Sequence, residues 1–192
     1  MEIRKVVLTV FIFLLFSSAF FALIKVGELR LVLELNKGQY LEIMRTVDQT
    51  RNETKTMFER SYSYLELLEW EHERLNYTSE SNIMRYTDPL QIVNYGKGRC
   101  QEFSILYVAL CLANGYESRF VIDLLGDHTW AEIKLQGIWT HVDPTEKRVD
   151  DPYMYERDWH KNIELAYAFE DGFCEDVTNN YRIFTGTYSL IF

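Results

Sequence analysis

Three residues of this chain have the types and spacing that nucleophilic chemistry needs. Cys100 follows a turn bounded by Gly96 and Gly98. It opens a run in which Phe103, Leu106, Tyr107, Leu110 and Cys111 recur at helical spacing. A cysteine at a helix start meets unpaired backbone N–H groups and the positive end of the helix dipole, and both favour thiolate over thiol. His128 opens a stretch that alternates like a strand, with Trp130 and Glu132 opposed to Ala131 and Ile133, and Asp143 closes the next such stretch. Thiol, imidazole and carboxylate together are a nucleophile, a base and an orienting group, the set that attacks an amide carbonyl. His128 would share the thiol proton and later protonate a leaving amine. Asp143 would hold the ring in one tautomer, and the Cys100 N–H would be one oxyanion donor.

That chemistry requires the three to meet. Residues 118–125 are β-branched and aromatic, 128–135 alternate, Gln136-Gly137 reads as a turn, and 138–143 form a third strand. Adjacent antiparallel strands joined by a tight turn bring His128 beside Asp143. Cys100 joins them if its helix, ended by Asn114-Gly115, lays its N-terminus over that end of the sheet. Helix first and antiparallel meander after is an α+β pattern. Upstream, residues 39–76 contain no Pro or Gly, and Met44, Val47, Met57, Tyr64, Leu65, Leu68 and Trp70 fall at helical spacing. One or two helices are expected there, with a break at Asn52. Residues 76–89 read as a loop, and Asp88-Pro89 as the start of a short helix.

The formal net charge of -9, with no Lys/Arg cluster after the first few residues, argues against nucleic acid as a partner. The three cysteines form no CxxC pair, so a cysteine zinc site of ordinary spacing is not expected. Reading Cys100, His128 and Asp143 themselves as zinc ligands is the weaker account of the same residues. A Cys111–Cys174 disulfide would be open to the chain in an oxidising compartment. Residues 6–24 are an apolar run preceded by Arg4 and Lys5 and closed by Lys25, long enough to cross a bilayer. The expected organisation is a membrane anchor or signal segment at 1–24, a stalk at 25–37 and a domain at 38–192. The domain is expected outside the cytosol on a single-pass anchor, or secreted after signal cleavage. Sequons at Asn52-Glu53-Thr54 and Asn76-Tyr77-Thr78 fit that placement.

The stretches GKGRCQEFSILYVALCLANGYESRFV, DHTWAEI and GIWTHVDPT together resemble the core of the transglutaminase-like superfamily. They carry its glycine-x-cysteine turn and helix, its histidine-x-tryptophan strand, and its tryptophan strand ending in aspartate-proline. The tail YMYERDWHKNIELAYAFEDGFCEDVTNNY is similar to the peptide:N-glycanase catalytic domain in Tyr155, Glu156, Trp159, Lys161, Tyr167, Ala168, Phe169, Asp176, Val177 and Thr178. Arg99, Cys100 and Glu102 fit that family's cysteine block. Gln101 stands where that family has glycine, and the zinc-binding CxxC pairs of its eukaryotic members are missing upstream.

The resemblance implies a papain-like α+β core, with N-terminal helices and a catalytic helix packed on an antiparallel sheet. It implies catalytic roles for Cys100, His128 and Asp143, and substrate or oxyanion positions at Trp70, Gln101, Glu102 and Trp130. It requires no cofactor and no metal, and it implies a protein or glycoprotein substrate. Peptide:N-glycanases cleave the amide between asparagine and the first N-acetylglucosamine of an N-glycan. Protease or transglutaminase action on amides is the alternative, and a non-catalytic binding module on the same fold is the rival class. His72, His141 and His160 carry no partner pattern and are expected to be structural or at the surface.

Overall fold

The computed structural model describes residues 34–80 and 83–182. The chain divides into two compact units, Met1–Gly38 and Gln39–Phe192. In the first, residues 34–38 are helical. The apolar run expected to anchor the chain, and most of the stalk, lie outside the described residues. Among the described residues no helix is long and apolar enough to cross a membrane.

The second unit begins with helical turns over 39–49, here α1. Then come α2 (Arg51–Lys55), α3 (Tyr64–His72), β1 (Asn76–Tyr77), α4 (Pro89–Tyr95), β2 (Lys97–Gly98) and α5 (Cys100–Ala113). The remainder is β3 (Ser118–Asp123), β4 (His128–Leu135), β5 (Ile138–Asp143), β6 (Arg148–Val149), α6 (Met154–Trp159), β7 (Ala166–Glu170), β8 (Phe173–Asp176) and a 3-10 turn at Thr178–Tyr181. The break expected at Asn52 falls at Thr50. The hydroxyls of Thr46, Thr50 and Thr54 bond back to the carbonyls four residues earlier at 2.9–3.0 Å, a pattern that bends helices. Ser63 and Glu66 form a capping box that starts α3. Asp88 caps α4, accepting from Leu90 N–H at 2.9 Å with Pro89 in the first helical position, as predicted.

The predicted meander forms the middle of a larger sheet, ordered β6-β5-β4-β3-β7-β8 with every pair antiparallel. β7 returns to the free edge of β3, pairing Phe120 with Phe169. Side chains alternate between the two faces of such a sheet. One face sends Phe120, Ile122, Ala131, Ile133, Val142 and Phe169 into a core shared with α5. The residues expected to share a face of α5, Phe103, Leu106, Tyr107, Leu110 and Cys111, are all fully buried, and most of the rest of the helix is buried with them, with the sheet on one side and α2, α3 and α4 on the other. The opposite face carries Val121, Trp130, Ala166 and Ala168 into a second, smaller core. Met154, Tyr155, Ile163, Val177 and Tyr181 cover it, all from the chain after β5. Arg119 is buried on that second face, where Glu132 holds its Nε at 2.5 Å and Tyr181 donates to the same carboxylate at 2.5 Å. A charge taken out of water is tolerated when it is paired in this way. All three cysteines are free, Cys111 inside the α5 core and Cys174 on the edge strand β8.

Glu71 of α3 is fully buried beside Tyr107 and Cys111 and forms no ion pair among the described residues. Burial holds its carboxyl well above the usual range, so the folded protein keeps it protonated. The folded state then binds a proton that the unfolded chain releases above about pH 4.5, so this group costs stability as pH rises. Glu71→Gln removes that titration. The expected outcome is a melting temperature that gains on wild type as pH is raised from about 5 to 8, by up to about 1.4 kcal/mol of stability per unit. Parallel thermal melts of the two proteins across that range measure it.

Candidate active site

The start of α5 is built by close backbone packing. At Gly98 a Cβ would lie 2.6 Å from the Glu102 Cβ, so only glycine lets the turn fold this tightly against the helix. Glu102, fully buried, accepts the Arg99 N–H at 2.9 Å and pairs with the Arg85 guanidinium. Arg99 donates to the carbonyls of Ser79 and Glu80 at 3.2 and 2.7 Å. The segment expected to be a plain loop thus carries β1, which pairs in parallel with β2 and binds the cysteine turn. The helix ladder begins with Phe103 N–H bonding to Arg99 O at 3.1 Å. The N–H groups of the preceding first-turn residues are left for a ligand, as at any helix start.

His128 and Asp143 lie on the sheet face opposite α5. Asp123, paired with His128, and Trp130, two residues along, belong to that face, and Asp143 closes the neighbouring strand. His128 Nε2 lies 2.7 Å from Asp143 Oδ2, both side chains buried. That bond leaves Nδ1 as the nitrogen available to the thiol. Cys100 reaches past the end of the sheet to within hydrogen-bonding range of the imidazole and of Thr129. Ser104 ties helix to strand: its Oγ donates to the Cys100 carbonyl at 2.8 Å and lies 3.3 Å from the Thr129 hydroxyl.

The electrostatics favour a charged pair. Burial raises the Cys100 thiol, but the hydrogen bond and charge of His128 and the contacts with Thr129 outweigh it, leaving the thiol below its ordinary value. Burial lowers His128, yet the bond to Asp143 and the neighbouring Cys100 raise it to about 9. Burial raises Asp143 as well, and the imidazole more than compensates, so its carboxyl stays below the usual range. Both shifts favour the thiolate–imidazolium form of the pair over the neutral one.

A cavity of about 230 Å³ opens at Cys100, with Gln101, Tyr40, Tyr77, Arg85, Asp127 and Thr129 among its walls. Glu102 is fully buried and shapes the turn through its bonds to Arg99 and Arg85. Trp130 is fully buried behind the imidazole, its ring 6.0 Å from that of His128. The ring nearest His128 is Trp159, edge-on at 4.8 Å and 38% exposed. Trp70 is not brought to the site. It packs against Phe58 and under the Arg74 guanidinium, and it lines a separate hollow of about 650 Å³. Sequence reasoning passed over Tyr40 and Ser104. No local pattern marks them, because α1 and β4 meet α5 only in three dimensions. His141 was expected to be structural or at the surface. It is buried, and its Nε2 lies 2.8 Å from the Tyr155 hydroxyl. Among the described residues no group of three His, Cys, Asp or Glu side chains is arranged to hold a metal ion.

Iodoacetamide should alkylate Cys100 at a rate that reaches its plateau well below the ordinary thiol range of about 8.5. In His128→Ala the plateau should move to higher pH, because only the contacts with Thr129 then oppose burial of the thiol. Asp143→Asn should slow any hydrolysis by at least about a hundredfold, the penalty for an imidazole in the wrong tautomer. Peptide mapping by mass spectrometry across the pH range reads the first two, and a progress curve reads the third.

The model of the transglutaminase-like superfamily matches residues 44–144, a span that contains Cys100, His128 and Asp143. Two relatives, each named a peptide-N(4)-(N-acetyl-beta-glucosaminyl)asparagine amidase, align with about half of the chain. The protein from Oryza sativa subsp. japonica is 37% identical, covering 55% of this chain and 24% of its own. The one from Arabidopsis thaliana is 40% identical, covering 50% and 14%. This chain thus spans a quarter or less of these relatives. Among solved structures, Rad4–Rad23 crosslinked to an undamaged DNA superposes with a TM-score of 0.56 at 11% identity, covering 80% of this chain and 48% of that one. At that identity the likeness is one of fold alone. The matched sequence and the geometry at Cys100 agree, and the chain belongs to the transglutaminase-like superfamily.

Proposed function

We propose that this domain is a cysteine-dependent amide hydrolase that releases N-glycans from asparagine in the manner of a peptide:N-glycanase. The observation that carries the reading is the Cys100 thiol held against an imidazole whose far nitrogen is fixed on Asp143 at 2.7 Å. The names of the relatives supply the substrate class. The Cys100 thiolate would attack the side-chain carbonyl carbon of a glycosylated asparagine. The developing oxyanion would sit against the first-turn N–H groups of α5. The carbon–nitrogen bond then breaks as the His128 imidazolium gives its proton to the departing glycosylamine. Neutral His128 would next take a proton from water, which attacks the thioester. Aspartate leaves, and the thiol is regenerated. Charge separation before substrate arrives favours the first step. A proton donor held up to about 9 favours the second.

The location rests on sequence. The apolar run 6–24 with its basic flanks supports a single-pass anchor that holds the domain outside the cytosol. Asn76 is exposed on β1, whereas Thr54 of the other sequon is buried within α2. A translocated domain should therefore carry sugar on Asn76 in preference to Asn52.

Incubating the purified chain with a denatured N-glycoprotein tests the activity. Mass spectrometry should find intact glycan released and the acceptor asparagine converted to aspartate, with Cys100→Ala inactive. Fast alkylation of Cys100 without glycan release would move the substrate to other amides, those of proteases or transglutaminases. Slow alkylation together with no release would leave the non-catalytic module.

A further inference from the structure

We propose that His141 and Tyr155 are positioning residues, a two-membered buttress that fixes Asp143 in line with His128. The inference rests on reading Cys100 as the nucleophile. Tyr155 of α6 donates its hydroxyl proton to Asp143 Oδ2 at 3.0 Å, the same oxygen that His128 Nε2 holds at 2.7 Å. His141 Nε2 lies 2.8 Å from that hydroxyl. All four side chains are buried.

The direction of the chain of bonds follows from counting protons. A phenol has one hydrogen. Asp143 is a carboxylate and can only accept, so the Tyr155 hydrogen goes to it. The phenol oxygen is then the acceptor toward His141, whose Nε2 must carry a hydrogen. A neutral imidazole protonated at Nε2 has a bare Nδ1, and the buried His141 Nδ1 has no hydrogen-bond partner among the described residues. A bare nitrogen is the cheaper group to leave so, since an orphan N–H is the rarer finding in buried sites. Burial holds His141 down to about 4, which keeps it neutral, and the bond to Tyr155 selects the tautomer. Were the hydrogen on Nδ1 instead, the bare Nε2 would compete for the hydroxyl proton, and Asp143 would face a phenol lone pair.

The surroundings hold this arrangement. The rings of Tyr155 and Tyr181 stand edge-on to His141 at 5.5 and 5.8 Å. Trp130 packs on Tyr155 at 5.1 Å. The charged groups that act on His141 are Asp143, Asp151 and His128. Arg157 of α6 grips Asp151 through both carboxylate oxygens at 3.0 and 2.8 Å, pinning the helix that carries Tyr155. The sheet alone would leave Asp143 Oδ2 bonded only to His128. The segment after β5 adds the second donor and aims it.

Cys100 alkylation in the full-length chain, mapped by mass spectrometry across pH, tests this without a known substrate. Tyr155→Phe keeps the ring and deletes only the donor. Asp143 then protonates more readily, so the acid limb should move to higher pH. The rate at about pH 5 should fall at least about tenfold, the loss of one hydrogen bond to a charged group, while the plateau near pH 8 changes less than about threefold. His141→Leu should do the same, and His141→Gln, whose amide can donate from a similar position, should restore most of the profile. The Tyr155→Phe/His141→Leu pair should be no worse than Tyr155→Phe, because both delete one path. If Tyr155→Phe does not fold, the two His141 variants carry the comparison. Folded Tyr155→Phe and His141→Leu proteins with the wild-type profile would overturn the buttress while His128→Ala still slows alkylation. A His128→Ala protein as reactive as wild type would sink the reading of Cys100 itself.

Discussion

The hydrogen bond from His128 to Asp143 is short and buried, and the arrangement around it exists to make it possible. Two ionisable groups withdrawn from water cost several kcal/mol each unless they neutralise one another in good geometry. The β4–β5 hairpin supplies that geometry. Its Gln136-Gly137 turn fixes the register, and register decides the face on which every side chain falls. A slip of one residue would send Asp143 into the α5 core and leave His128 without its anchor. The ion pair therefore depends on the strand pairing. The strand pairing in turn depends on the aliphatic set Ala131, Ile133 and Val142 pointing the other way.

Cys100 is delivered by a different route. The α5 helix lies on the face of the sheet that His128 does not occupy, so the Cys100 thiol and the His128 imidazole meet only at the sheet's end. The close approach at Gly98, the buried Glu102 and the Ser104 hydroxyl set where that end of the helix stops. Each acts within one turn of Cys100. The helix supplies two things at once: N–H groups for an oxyanion, and a field that favours the thiolate. With the imidazolium held up to about 9 and the thiol lowered beside it, both shifts favour the charged form of the pair.

Much of this was legible in the chain because it is local. The glycine-cysteine turn, the helix that follows, the alternation from His128 to Ile133 and the hairpin turn each lie within a few residues, and together they bring three reactive groups to one place. The pairings that cross the chain were not legible. Nothing near Phe169 announces that β7 will pair with β3, or that the segment carrying Tyr155 will cover the second face of the sheet. His141 looks like an ordinary alternating strand residue until Tyr155 arrives above it. Trp70 has the composition of a site residue and the position of a core residue, which only the packing of α3 against Phe58 and Arg74 reveals. The break in the first helix was readable in principle, since Thr46, Thr50 and Thr54 stand at the spacing that bonds back to the helix. Asn52 was the more conspicuous residue and the wrong one.

The central claim is that the resting site holds a charged pair, thiolate on Cys100 and imidazolium on His128. The ring nitrogens of His128 report it directly. A spectrum of the protein labelled with 15N-histidine at about pH 7 should show both nitrogens of His128 protonated, since Asp143 and Cys100 hold the ring up to about 9, and the same ring should become neutral at that pH in Cys100→Ser. A single protonated nitrogen on His128 in the wild-type protein at about pH 7 would mean a neutral thiol–imidazole pair and would contradict the account.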